Sequence, residues 1–457
     1  MKVVCIGSGY VGTVTGAAFA ALGHRTTVID IDLAKVKLIN GGKSPFFEPG
    51  LDKLMLEMVN RQLLSATTTF DEVYNANIVF IAVGTPSRED GTADLEHVKA
   101  AARNIGEHLN PDQFTVIVNK STVPVGTSDL VGSILEETSG LRINEHFAVV
   151  SNPEFLREGF ALEDVFFPDR IVVGTNHSGA RTVMSVLYHH IIERVNYGEL
   201  FQWIDFKVKQ QQSPTAVYFE TDTKSAEMIK YVSNAFLAIK ISYVNEVARL
   251  CEALGANVLD VARGMGLDSR IGEKFLQVSS GWSGSCFPKD TTELLETGRK
   301  YRTDLTLVRA AIDSNNNMLE ACVDKIKRRL KTLNGKNIGI LGLTFKPNTD
   351  DARHTQSSYI IERLIKLGAN VKAHDPKGMD KFRTINEHLQ VRYCDNPEDV
   401  AERADAIVLM THWDEYAKLN WQLIGQKMRN PYLLDTRNFL VGNQMNEIGF
   451  TYEGNGI

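Results

Sequence analysis

The chain has 457 residues, of which 43% are hydrophobic and 23% charged; that is room for about three units of roughly 150 residues, each with a substantial core. Its formal net charge is −6 and no Lys/Arg block runs along it, which excludes a broad nucleic-acid or anionic-membrane surface. Five widely spaced cysteines without a Cys-x-x-Cys argue for a reducing compartment and against a disulfide framework or a metal site.

No apolar run approaches the roughly 20 residues of a membrane span. The chain opens on a strand rather than a signal peptide, so a cytoplasmic protein is expected.

Residues 3–6 are a short apolar strand. Gly7-x-Gly9-x-x-Gly12 follows, then an Ala-rich helix over 13–22, Gly23, and a strand over 25–29 ending in Asp30. In this order the glycines permit a tight turn and let backbone amides at a helix N-terminus face a pyrophosphate. Asp30 stands 18 residues beyond Gly12, close to the roughly 20 expected of the acid that holds ribose hydroxyls. Its charge repels a 2′-phosphate, so the expected cofactor is NAD rather than NADP.

Further apolar strands are predicted over 77–83, 114–118, 147–150 and 170–173. The first three end at Gly84-Thr85-Pro86, Lys120-Ser121-Thr122-Val123-Pro124 and Ser151-Asn152-Pro153-Glu154. Nearly continuous apolar strands alternating with helices imply a parallel sheet covered on both faces. Ligands bind such sheets at the carboxyl ends of the strands. Thr122, Glu154 and Glu158 therefore lie on a functional rim, although residues 152–158 could equally serve only to start a helix.

Residues 194–213 carry no recognisable chemistry, and His189-His190 has no partners at metal spacing. From 225 to 254, Ile229, Val232, Phe236, Ile239, Tyr243, Val247, Leu250 and Leu254 recur at steps of three and four. This is a long amphipathic helix, able to join two domains and to carry a dimer contact. Lys230 and Asn234 share one face of it; spacing alone favours a solvated polar face.

In Gly281-Trp282-Ser283-Gly284-Ser285-Cys286-Phe287-Pro288-Lys289-Asp290 one cysteine sits beside a lysine and an aspartate on a Gly/Ser-rich loop. A thiol attacks as the thiolate, and a nearby cation lowers its pKa, so Cys286 is a candidate covalent catalyst. The last third repeats the first. Strands over 336–342, 371–374, 404–410 and 432–435 alternate with helices, but no Gly-x-Gly-x-x-Gly follows the first. Lys346, Arg353 and Arg437 stand at or near strand ends, where basic groups suit phosphates.

The chain resembles the UDP-glucose/GDP-mannose dehydrogenase family. The likeness rests on Gly7-Ser8-Gly9-Tyr10-Val11-Gly12, Glu48-Pro49-Gly50-Leu51, Lys120 to Thr127, Asn152-Pro153-Glu154-Phe155-Leu156 and Pro168-Asp169-Arg170. It continues through Ser225 to Tyr231, Ser285-Cys286-Phe287-Pro288-Lys289-Asp290 and Gly342-Leu343-Thr344-Phe345-Lys346. It implies an α/β protein with two Rossmann-like parallel-sheet domains joined by a long central helix. The expected domains are an NAD-binding domain over 1–205, a central helical and dimerisation domain over 206–325, and a UDP-sugar-binding domain over 326–457.

The implied reaction is a four-electron oxidation of a sugar-nucleotide primary alcohol to the acid with two NAD⁺, passing through a thiohemiacetal and a thioester on Cys286. UDP-glucose is the expected substrate. GDP-mannose or a UDP-N-acetylhexosamine is the alternative.

The same likeness implies residue roles. Lys230 and Asn234 stabilise charge developing on the substrate oxygen, Asp290 and Thr122 move protons, and Glu154 serves thioester hydrolysis. Gly7, Gly9, Gly12, Asp30, Lys35, Thr85, Thr122, Glu158, Lys289 and Arg353 hold the cofactor. Phe155, Leu156, Phe275, Leu276, Phe345, Lys346 and Arg437 form the UDP-sugar pocket with Lys230 and Asn234. Arg270 reaches the substrate of a neighbouring subunit, so a homodimer or higher homo-oligomer is expected.

Two departures stand out. The family's Gly-Phe-Gly-Gly before Ser-Cys reads Gly281-Trp282-Ser283-Gly284 here, and Ser283 would be strained if that position requires φ > 0. His354 stands where a glutamate commonly follows the arginine.

Overall fold

A computed structural model describes residues 1–195, 197–204, 206 and 215–457; much of the 194–213 connection lies outside the described residues. Two compact units divide the chain at Val232 and Ser233.

The first unit is built on an eight-stranded sheet of β1 (Lys2–Ile6), β2 (Arg25–Ile29), β3 (Leu64–Thr67), β4 (Ile78–Ile81), β5 (Thr115–Asn119), β6 (Phe147–Ser151), β7 (Arg170–Gly174) and β8 (Val217–Thr221). Their order is β3-β2-β1-β4-β5-β6-β7-β8. Alternation along each strand feeds two cores. Val3 and Cys5, with Ile78 and Phe80, face one; Val4 and Ile6, with Val79 and Ile81, face the other. Each such side chain is worth about 1.5–3 kcal/mol when fully buried, which explains why the central strands read as unbroken apolar runs.

Two features of this sheet depart from the sequence reading. β7 meets β6 through an antiparallel bridge, Ser151 to Gly174. Between them lies only the six-residue helix Ala161–Phe166, about 9 Å long and too short to return the chain for a parallel crossover. β8 was not foreseen. Its residues are exposed or only partly buried, because it is the edge strand of the sheet and lacks the continuous apolar signature.

The second unit carries a wholly parallel six-stranded sheet of β9 (Asn337–Leu341), β10 (Asn370–His374), β11 (Val391–Tyr393), β12 (Ala406–Leu409), β13 (Tyr432–Asp435) and β14 (Thr451–Gly454), ordered β11-β10-β9-β12-β13-β14.

The repeat between the units extends to their first turns. Gly7 (φ +99°) and Gly342 (φ +100°) follow β1 and β9. The Gly7 N–H donates to Ile29 O at 2.8 Å, and that of Gly342 to His374 O at 2.9 Å. Asp30 after β2 accepts from Ser8 N–H at 2.7 Å, as Asp375 after β10 does from Leu343 N–H at 2.7 Å. The second unit thus keeps the first glycine and the closing acid of the nucleotide turn, and lacks only the later glycines.

The central helix Thr223–Leu254 is 32 residues long, about 48 Å. Its buried positions are Ala226, Glu227, Lys230, Tyr231, Asn234, Ala235, Ala238, Ser242, Val244, Asn245, Ala248 and Cys251, whereas Phe236, Tyr243, Leu250 and Leu254 are 52–72% exposed. The apolar periodicity located the helix, but Phe236, Tyr243, Leu250 and Leu254 mark its open face; apart from Tyr231 and Val244, the inward face is made mainly of small and polar residues. Among the described residues no helix is long and apolar enough to cross a membrane.

Candidate active site

In the first unit the candidate residues cluster at strand carboxyl ends. The Gly7 turn is fixed by sterics: a Cβ there would lie 2.7 Å from Ala82 O, and one on Gly12 only 1.9 Å from Gly7 O. Gly9 opens onto free space, so backbone amides and the helix Tyr10–Ala21 are available to an anion. Burial pushes the Asp30 carboxyl up. Hydrogen bonds from the Ser8 hydroxyl and from the Asp32 and Ser8 amides, with the charge of Lys35, outweigh it and hold Asp30 below the usual carboxylate value. An ionised Asp30 beside an open glycine turn fits a dinucleotide with free ribose hydroxyls. Thr85 and Thr122 come together, the Thr85 hydroxyl donating to Thr122 O at 2.8 Å.

The chemically loaded part of this unit is a buried charge cluster. Lys230 Nζ lies 2.8 Å from Glu154 Oε1, both side chains at most 7% exposed. Glu154 also accepts from Leu156 N–H at 2.6 Å. Burial pushes the Glu154 carboxyl up, but the charge and hydrogen bond of Lys230, the Leu156 amide and the charge of Lys120 prevail, and it is held below its ordinary value. Lys120, unassigned by the sequence reading, donates to Asn152 Oδ1 at 3.0 Å and to Tyr188 Oη at 3.2 Å; burial pulls its ammonium down to about 8. Phe155 stacks under the Arg170 guanidinium at 3.9 Å and lies 5.4 Å from the Lys230 ammonium. A turn before Lys230, Glu227 accepts from the Gly126 and Ser128 amides at 2.7 and 2.8 Å and from the Ser128 hydroxyl at 2.7 Å. Those bonds fix the rotation of the helix that aims Lys230.

The second unit holds the thiol. Cys286 caps the helix Phe287–Lys300, with Pro288 in its first turn. It is half-buried, whereas Cys5, Cys251, Cys322 and Cys394 are buried; burial pushes the thiols of Cys5 and Cys322 up to about 12 and about 11. A helix N-terminus favours a thiolate. One turn along, Asp290 is 1% exposed. It receives Asn234 Nδ2–H at 2.6 Å and the Lys289 ammonium at 2.5 Å. Asn234 and Lys230 are 7% and 4% exposed, which overturns the reading of their face as solvated: each is drawn inward by a buried carboxylate.

The expected strain at Ser283 is absent. Gly281 (φ +122°) and Gly284 (φ +84°) take the left-handed backbone, and Ser283 does not. A Cβ on Gly284 would lie 2.9 Å from the Phe345 ring, so that glycine is what lets the cysteine loop lie against the pocket residue.

Of the other candidates in this unit, Lys346 and Arg437 gather at Phe345. Arg437 donates to Met410 O at 2.7 Å and Phe345 O at 3.2 Å, and burial lowers it to about 10. Lys346 lies over the Phe345 ring at 5.3 Å. Arg353 is held by Asp351 at 2.7 Å with half of its side chain exposed. Leu276 is buried, and Phe275 adopts φ +65°, a strained backbone of the kind found at ligand sites. Arg270 is 88% exposed and ion-paired to Asp268.

Known proteins give this geometry its context. Residues 1–192 match the NAD binding domain, 224–317 the central domain and 339–442 the UDP binding domain of one enzyme family. The UDP-glucose 6-dehydrogenase of Rhizobium meliloti (strain 1021) is 43% identical over 99% of this chain and 98% of its own. The UDP-glucose 6-dehydrogenase TuaD of Bacillus subtilis (strain 168) is 41% identical over 100% of this chain and 93% of its own. Among solved structures, a UDP-glucose dehydrogenase from the hyperthermophilic archaeon Pyrobaculum islandicum superposes with a TM-score of 0.87 at 34% identity, covering 100% of this chain and 97% of its own. With three consecutive domain matches and relatives aligned end to end, this chain is an NAD-dependent oxidoreductase of the UDP-glucose/GDP-mannose dehydrogenase family.

Proposed function

We propose that the protein oxidises the C6 alcohol of UDP-glucose to the carboxylate of UDP-glucuronate, with Cys286 as covalent carrier. The observation that carries this reading is the half-buried Cys286 at a helix N-terminus, one turn from a buried aspartate held by Asn234 and Lys289. NAD⁺ held by the Gly7–Gly12 turn, Asp30, Lys35, Thr85, Thr122, Glu158, Lys289 and Arg353 supplies the hydride acceptor, one equivalent for each oxidation. The UDP-sugar is held by Phe155, Leu156, Phe275, Leu276, Phe345, Lys346 and Arg437.

Loss of the C6 hydride and the hydroxyl proton gives the aldehyde. The Cys286 thiolate adds to that carbon, forming the C–S bond, and the carbonyl oxygen takes a proton to give a thiohemiacetal. Lys230 and Asn234 bind the oxygen while it is anionic. Asp290, with Thr122 and an ordered water, takes up and returns the protons. Loss of the second hydride and the hydroxyl proton leaves a thioester. Glu154, kept ionised by Lys230 and Lys120, deprotonates a water that attacks the thioester; the C–S bond breaks and Cys286 departs as thiolate. Holding the aldehyde on sulfur explains why a dehydrogenase carries a nucleophile at all.

The exposed Phe236, Tyr243, Leu250 and Leu254 form an apolar stripe suited to a second copy of the chain, with Arg270 reaching the partner's substrate.

NAD⁺ reduction with UDP-glucose, GDP-mannose and UDP-N-acetylglucosamine tests the substrate. UDP-glucose is expected to turn over with two NADH per acid, and Cys286→Ser to abolish release of the acid. Turnover of another sugar nucleotide with none of UDP-glucose, or one NADH per product, overturns this reading.

A further inference from the structure

The residues ahead of Cys286 belong to no helix or strand until Phe287. No backbone ladder therefore fixes them, and two left-handed glycines, Gly281 and Gly284, give the segment freedom to pivot. Its position is set by side chains reaching in from elsewhere in the second unit. Asn315, on the helix Thr306–Leu330, accepts from Trp282 N–H at 2.8 Å and donates to Trp282 O at 3.0 Å. The Trp282 indole N–H donates to Ser242 Oγ at 2.8 Å. Gln356, the first residue of the helix Gln356–Lys366, is 4% exposed. Its Nε2–H donates to Gly281 O, while its Oε1 accepts the Ser283 hydroxyl at 2.6 Å.

The geometry points to Ser283 and Gln356 as positioning residues for Cys286: one amide grips the chain at two points, three and five residues ahead of the sulfur, and fixes where the nucleophile stands. This rests on the proposed role of Cys286 as the carrier. The amide cannot be turned over, because Gly281 O needs the NH₂ end, and Ser283 is then left to donate to the carbonyl end.

A space of about 280 Å³, lined by Trp282, Ser283, Gln356 and His354 together with Pro288 and Thr291 of the nucleophile's own helix, lies behind the loop. Release of the clamp gives the loop this space to move into. Gln356 also follows Arg353 by three residues, and the N–H of Gly284 points at His354 O at 3.5 Å. The nucleophile is thereby tied to the segment that carries the candidate ligand-binding residues Phe345, Lys346 and Arg353. Trp282, Ser283 and His354 all line this one cavity. Ser283 supplies a hydroxyl that a glycine there could not.

A displaced thiol leaves the first oxidation intact and slows capture of the aldehyde. A misplacement of about 1 Å costs roughly 100-fold in rate. The test compares Gln356→Leu, Gln356→Glu, Ser283→Ala and Cys286→Ser with the wild type. It measures kcat and KM, NADH per acid, aldehyde trapped by semicarbazide, and alkylation of Cys286 by iodoacetamide across pH.

Gln356→Leu is expected to slow acid formation about 10–100-fold with both KM values within about threefold. The NADH-to-acid ratio should rise above two as aldehyde escapes into the trap. The midpoint of alkylation against pH should not move, because the helix N-terminus remains. Gln356→Glu should behave alike, since a carboxylate repels Gly281 O. Ser283→Ala should fall between these and the wild type, and it carries the test if the Gln356 variants do not fold. Acid formation within twofold of wild type in Ser283→Ala and the Gln356 variants, with no trapped aldehyde while Cys286→Ser makes no acid, overturns the clamp alone. Acid release by Cys286→Ser at the wild-type rate overturns the carrier role and the clamp with it.

Discussion

The buried Lys230–Glu154 pair offers the sharpest test of the charge cluster. Lys230→Met keeps the length and apolar stem of the side chain and removes only the ammonium. Glu154 is then left 7% exposed with the Leu156 amide at 2.6 Å and the more distant charge of Lys120. Removing one partner of a buried pair costs about 3–5 kcal/mol. At roughly 2–4 °C per kcal/mol for a unit of this size, the midpoint of the first unit should fall by about 6–20 °C near pH 8.

The pH dependence has a definite sign. In the wild type the depressed Glu154 contributes stability that is present above its unfolded value and is lost as pH falls through the lower folded one. In Lys230→Met burial dominates and raises the folded value. The deficit should therefore be complete near pH 8 and shrink as pH falls and Glu154 takes up a proton. The double variant Lys230→Met/Glu154→Gln should recover part of the loss, a coupling of about 1–3 kcal/mol. Thermal and urea unfolding between pH 5 and 8 on the wild type, Lys230→Met, Glu154→Gln and the double variant decides it. A deficit independent of pH, or single effects that simply add, refutes the idea that Lys230 sets the charge of Glu154.

Two further outcomes follow from the site and the central helix. Asp30→Asn removes the charge while leaving an acceptor for Ser8, so KM for NAD⁺ should rise about tenfold, matching the roughly 1.5 kcal/mol of a charge-assisted hydrogen bond, and discrimination against NADP⁺ should narrow; steady-state kinetics with both cofactors that show neither change remove Asp30 from the ribose. Phe236→Asp combined with Leu250→Asp places two charges on the exposed apolar stripe and should shift the protein to a smaller species in sedimentation velocity, while an unchanged coefficient would assign any self-association to another surface.

What the sequence conveyed and what it withheld divide along a physical line. Local signals were readable: the Gly7 turn, the acid closing β2, the buried strands and the loop carrying Cys286 beside Lys289 and Asp290 all lie within short windows. Distant pairing was not. The spacing of Lys230 and Asn234 shows that they share a face, but whether that face is wet depends on Glu154 and on Asp290, the latter 56 residues from Asn234. A helix of mixed character has two candidate inner faces, and hydrophobicity favoured the one bearing Phe236 and Leu250, which is open. The inner face instead mixes alanines with polar groups, and Lys230, Asn234 and Ser242 find their partners in segments that no window of the central helix contains. Ser283 teaches the same point in reverse. It looked like an intruder at a glycine position, yet its neighbours Gly281 and Gly284 carry the left-handed turns, and its hydroxyl is matched by Gln356, 73 residues on. A residue out of place in a motif is therefore best judged by what stands opposite it in the fold, and here the opposite residue grips the loop that leads to the thiol.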